Sequence, residues 1–273
     1  GVASARSAVV EWWWAYLLTG TAVGFLAGLL GIGGGMVMVP ALVFIFTAKG
    51  FPAEHMMHLA LATAITTIVF TSIASVRAHH RHGAVDWPIA RAMSPGIVAG
   101  SFAAALAAGL IPTRPLAVFF TGFMFFAATQ MLFQRPPKSA RALPGPAGVF
   151  CAGAVIGGLS SLLAAGGAFL SIPFLAWCNV PLRRAIGTAA ANGFPIALAG
   201  SAGYVLQGLR IEGLPGGTLG FVYLPALALI VATSMLVAPW GARLAHRLPI
   251  TRLRTVFALM LYALGARMLA TLW

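Results

Sequence analysis

The sequence predicts an all-α polytopic membrane protein made of two inverted-topology repeats, each a glycine-broken helix pair followed by three transmembrane helices. Composition, the count of apolar segments and an internal duplication carry that expectation. Of 273 residues, 60% are hydrophobic and 8% are charged, against about 25% charged in an ordinary soluble domain. The 17 Lys and Arg and 4 Asp and Glu cannot cover a water-facing surface of this size. Lipid is the natural solvent, and membrane lipid is the first expected partner. The net charge of +13 is spread singly between apolar runs, with no basic tract, so nucleic acid is excluded. Cys151 and Cys178 sit in or beside apolar runs with no CxxC and read as small buried hydrophobes, so neither a redox framework nor a metal site is expected.

A helix needs about 20 residues to cross a bilayer. Apolar runs separated by short polar punctuation lie at 12–33, 36–46, 57–76, 88–110, 115–133, 146–165, 167–178, 185–207, 217–239 and 251–272. Segments 36–46 and 167–178 are too short for a straight crossing, and each follows a glycine cluster, as half-helices would. Sliding the chain by 133 places pairs Gly20 with Gly153, Gly24 with Gly157, Gly33 with Gly166, Gly34 with Gly167 and Pro40 with Pro173. After a loop eight residues shorter in the second half, the offset becomes 125 and pairs Ala62-Thr63-Ala64 with Gly187-Thr188-Ala189. The chain therefore divides into a tail 1–11, a first repeat 12–133, a cytoplasmic linker 134–145 rich in Pro and charge, and a second repeat 146–273. The opening residues of the tail carry no structural weight.

Charge decides how the halves are related. If each glycine break turns the chain back, every half has an odd number of transits. One side then holds 12 of the 17 Lys and Arg, among them Arg77, Arg81, Arg183 and Arg184, and the other holds Arg6, Lys49, Arg114, Arg210 and Arg267. Parallel halves would split the same residues nine to eight, which no positive-inside bias produces. The inverted arrangement puts both termini away from the cytoplasm, on the periplasmic side. The tryptophans, all at segment ends, agree with interfacial placement.

Unwound backbone inside a membrane is tolerated only against protein or a wet cavity. Short, interrupted segments at matching places in two inverted halves point to a transporter's midplane site. A helix that restarts after such a break directs free N–H groups and a positive dipole end at the cavity, which favours an anion. Gly33, Gly34, Gly35 and Met36 in the first break, and Gly166, Gly167, Ala168 and Phe169 in the second, are the candidate binding residues. The glycines Gly20, Gly24 and Gly28, with Gly153 and Gly157, read instead as a close-packing stripe.

From Gly20 to Trp273 the chain resembles the TauE/SafE family of sulfite and organosulfonate exporters. The resemblance rests on the doubled pattern Gly24 and Gly28 through Gly33-Gly34-Gly35 to Pro40, and Gly157 and Ser161 through Gly166-Gly167 to Pro173. It continues in Ala185-Ile186-Gly187-Thr188-Ala189 and in Arg81-His82-Gly83-Ala84-Val85-Asp86-Trp87. Ala62-Thr63-Ala64 departs from the pattern by lacking the usual glycine, so the halves need not contribute equally. The resemblance implies efflux of sulfite or a small sulfonate across a bacterial inner membrane. Composition and spacing identify no sulfur.

Polar residues inside the spans fit an anion. Thr63 and Thr67 pair with Thr188 and Asn192 across the repeats, and hydroxyl and amide donors suit sulfonate oxygens; their bland role is bonding their own or a neighbouring helix. Glu11, Glu54, Asp86 and Glu212 all lie at span ends or in loops, so a carboxylate proton relay is not expected. The cluster Arg77, His79, His80, Arg81 and His82 reads first as a positive-inside anchor solvated at the headgroups, with concentration of anions at the entrance as its functional alternative. Alternatives to a uniport-type exporter are an anion channel, or an exporter of another small organic anion with proton coupling. A membrane enzyme or passive subunit is disfavoured, since the chain has no HExxH, no GxSxG and no His–acid constellation. No cofactor is expected, the partner is a small anion, and association of several copies is left open.

Overall fold

The computed structural model describes residues 12–30, 34–133, 142–245 and 250–272. The tail 1–11, Gly33 of the first break and residues 134–141 of the linker lie outside them. The described chain is helical apart from one hairpin: α1 Trp13–Leu30, α2 Gly35–Ala48, α3 Met56–Arg81, α4 Trp87–Ala108, α5 Thr113–Phe133, α6 Pro146–Leu162, α7 Ala168–Trp177, α8 Leu182–Gly208, α9 Leu224–Ala245 and α10 Ile250–Leu272. Each apolar segment read from the sequence contains a helix among the described residues. Among the described residues, four helices are long and apolar enough to cross a membrane by length and composition, at Ala53–Arg81, Trp87–Ala108, Thr113–Phe133 and Leu224–Gly241. At 14 and 10 residues, α2 and α7 are short, as the spacing requires.

One boundary differs from the sequence reading. Residues 217–223 do not begin the ninth helix but form a hairpin, with Thr218 paired to Tyr223 and Leu219 to Val222. Gly220 turns it at φ +56, a conformation open to glycine at little cost. The tip packs on the end of α8, where a Cβ on Gly208 would lie 2.2 Å from the Phe221 nitrogen. Apolarity alone cannot separate such a turn from a helix start.

The halves exchange partners. α1 of the first packs along α9 of the second, and α6 of the second along α4 of the first. The glycine stripes make both approaches possible: Cβ atoms on Gly20 and Gly24 would collide with the Ile230 and Ser234 backbones, and on Gly153 and Gly157 with the Met93 and Ile97 carbonyls. Between these pairs α3 crosses α8. Ser72 faces Gly193, Ile65 faces Gly200 and the Thr66 hydroxyl donates to Ser201 at 3.0 Å, so the two helices run antiparallel. The ends of α2 and α7 also match. Gly50 and Asn179 both take positive φ, at +70 and +62, and Phe51 N and Val180 N each reach back to a helix carbonyl at 3.0 Å.

Candidate functional site

The two glycine breaks touch. A Cβ on Gly35 would lie 1.8 Å from the carbonyl oxygen of Ala164, so backbone meets backbone between the halves. Ala164 itself has φ +44, outside the range an L-residue prefers. Gly167 starts α7 at φ +78, and its carbonyl accepts from Ser171 N at 2.8 Å. Gly34 starts α2, with its carbonyl accepting from Met38 N at 2.9 Å. Neither helix start has a side-chain cap. The first-turn N–H groups of any helix lack an intrahelical carbonyl, so each start presents free donors within its own break.

α3 and α8 wall the junction. Ile68 on α3 reaches to 3.4 Å of the Gly35 Cβ position, and Gly193 on α8 leaves a Cβ only 2.8 Å from the Gly166 carbonyl. Gly35, Met36, Gly167 and Ala168 are buried there. Phe169 turns away, edge-on to Phe123 of α5 with ring centroids 5.7 Å apart.

The polar residues divide by what their atoms already bond. Thr67 donates to the Thr63 carbonyl at 2.9 Å, within its own helix. Thr63 accepts the backbone N–H of Tyr223 at 3.0 Å, and Thr188 accepts that of Asp86, also at 3.0 Å. Tyr223 and Asp86 are the residues just before α9 and α4, so the two threonines do equivalent work for opposite halves: each secures the start of the other half's fourth helix. Asn192 is different. It is fully buried, its Nδ2 finds only the weak acceptor Met93 Sδ at 3.6 Å, and its Oδ1 has no partner among the described residues. Ser160 and Ser161, near the end of α6, and Ser171 on α7 likewise have buried hydroxyls without partners there. The sequence reading missed these serines; their position on both flanks of the second break was the available signal.

Thr188→Val should leave the Asp86 N–H without an acceptor and cost about 1–3 kcal/mol. Thr188→Ser should restore most of it. Thermal unfolding in detergent, with the Thr63 pair of variants alongside, checks this; equal stability of the Val and Ser forms would contradict it.

Residues 16–268 match the family model described as sulfite exporter TauE/SafE. The chain belongs to the TauE/SafE family. It is 34% identical over 254 residues to a probable membrane transporter protein of Haemophilus influenzae, covering 92% of this chain and 96% of that one. Similar proteins described in the same words occur in Bacillus subtilis, at 24% identity over 83% of this chain and 88% of that one. Another is found in Methanocaldococcus jannaschii, at 26% identity over 93% and 94%. No solved structure matches the chain significantly. TauE/SafE membership makes this a membrane transporter, and the breaks lie inside the matched region.

Proposed function

We propose that this TauE/SafE protein exports small sulfur-containing anions, sulfite or organosulfonates, from the cytoplasm across a bacterial inner membrane. The binding site is the junction of the two breaks, formed by Gly34 to Met36, Gly166 to Ala168 and Asn192, with Thr67 on α3; Phe169 turns out of it and Thr63 and Thr188 bond backbone toward its two ends. The observation that carries this reading is the backbone contact between Gly35, at the start of α2, and Ala164, three residues before the Gly167 that starts α7. Two N-terminal dipoles and an amide with spare hydrogen-bonding capacity favour a compact oxyanion. Flux of labelled sulfite, sulfoacetate, sulfolactate and taurine from proteoliposomes holding the purified chain tests it; no flux of any of them would remove the sulfur-anion reading.

The halves are inverted in this proposal. The antiparallel run of α3 and α8, which correspond through Thr63 with Thr188 and Thr67 with Asn192, supports it. Cysteines placed at Arg183 should react with impermeant reagent only from the cytoplasmic face, and those at Lys49 and Arg210 only from the other. Finding positions 49 and 183 on one side would end the inverted arrangement.

An anion leaving a negative interior gains about 2.3 kcal/mol per charge per 100 mV, so no coupling cation is needed. Efflux should therefore quicken under a potassium–valinomycin potential, negative on the cytoplasmic face, at equal pH on both sides. Flux indifferent to potential but driven by a pH gradient would instead mean proton coupling.

A further inference from the structure

Beyond the midplane junction, the structure holds two matching ties between the halves. On the first, Lys49 at the end of α2 donates to the Tyr223 hydroxyl at 2.9 Å and lies 3.4 Å from the Tyr16 hydroxyl. Its Nζ also sits 4.9 to 5.6 Å from the ring centroids of Tyr223, Phe51 and Tyr16. No carboxylate pairs with it among the described residues, and burial pulls the Lys49 ammonium below the ordinary lysine value. Three ring faces offset that cost. On the second, Arg184 near the start of α8 lies 3.6 Å from the Asp86 carboxylate, and Arg183 donates to the His82 carbonyl at 2.6 Å.

The two ties are built to one plan. Tyr223 and Asp86 occupy equivalent places, immediately before the fourth helix of their halves. Each is held twice by the other half: its N–H by Thr63 or Thr188, and its side chain by Lys49 or Arg184. Thr63 and Thr188 stand on α3 and α8, the crossing helices, toward opposite ends of that crossing. Both ties are closed in this structure, and the junction between them is buried.

We propose that Lys49–Tyr223 and Asp86–Arg184 are the outer and inner gates of the transport cycle, opened one at a time as the halves rock about the α3–α8 crossing. The proposal rests on the transporter reading with inverted halves. Rocking that parts one end of a crossing presses the other together, so releasing one gate must favour closure of the other. The polar partners differ because the outer tie is sunk among aromatic rings and the inner one is open to water, with Arg184 61% exposed. A buried carboxylate–cation pair would carry a larger desolvation cost than a cation held by hydroxyls and ring faces.

The test uses the full chain in proteoliposomes of known orientation, with Cys151→Ser, Cys178→Ser and a reporter, Ser72→Cys. Ser72 is buried on α3 beside Gly193, deeper than the inner tie. A membrane-impermeant thiol reagent is applied from the cytoplasmic face. Asp86→Asn, which keeps a helix-capping side chain, and Arg184→Met should each raise the labelling rate, by about threefold for a partly exposed ion pair. Tyr223→Phe and Lys49→Met should lower it, because the population moves toward outward opening. Rates unchanged by the outer variants, or raised by both sets alike, would overturn the gates. The readout needs no substrate: opposed responses in a chain that moves no sulfur anion would retain the gates and reject that substrate, whereas sulfonate flux with unresponsive labelling would reject the gates alone.

Discussion

Gly35→Ala is expected to abolish anion flux with the protein still inserted in the membrane. The added Cβ would stand 1.8 Å from the Ala164 carbonyl oxygen and 2.9 Å from its carbon. Both are backbone atoms of the other half, so no rotamer change relieves the overlap and the breaks must separate. Overpacking of this kind costs about 1–3 kcal/mol, occasionally more. Gly167→Leu should also be inactive, for two reasons. Its φ of +78 disfavours any side chain, and Ile196 Cδ1 lies 2.5 Å from the Cβ position. Gly34→Ala should be milder, since its closest contact is the Val23 Cγ1 methyl at 2.2 Å and the nearest backbone atom, the Val23 carbonyl oxygen, lies at 3.0 Å. Flux and melting temperature in detergent, measured for the three, check the order. Wild-type flux in Gly35→Ala would remove the junction from the transport path.

Asn192→Leu is expected to cut flux by at least about tenfold, the equivalent of about 1.4 kcal/mol, while raising stability. The two effects share one cause. A buried acceptor without a partner costs about 1–3 kcal/mol, and leucine, with the same branching of heavy atoms but no polar one, removes it. If that amide instead exists to meet the anion, the gain in stability comes with loss of transport. Flux in proteoliposomes and thermal unfolding of the same preparation decide it. A leucine variant that is less stable and fully active would assign Asn192 to packing alone.

The sequence by itself determined the solvent and the succession of helices, and it carries the constant offset read as a duplication. Those are properties of composition and spacing: 60% hydrophobic residues with 8% charged exclude a water-facing surface, and glycines at a constant offset mark equivalent turns wherever the chain later folds. The glycine stripes were legible for the same reason, since Gly20, Gly24, Gly153 and Gly157 have no side chain to serve any other purpose. What each stripe packs against was not. That α1 lies on α9 and α6 on α4 depends on contacts between distant parts of the chain, which no local pattern encodes. The hairpin at 218–223 was hidden inside an apolar run because hydropathy does not report the positive φ of Gly220. The polar residues show the difference most clearly. Thr63, Thr67, Thr188 and Asn192 look alike as donors on two equivalent helices. Only the tertiary structure separates the three threonines, each already bonded to backbone, from Asn192, whose carbonyl oxygen has no partner among the described residues. A residue type states what it can bond; the fold decides which of those bonds are already taken.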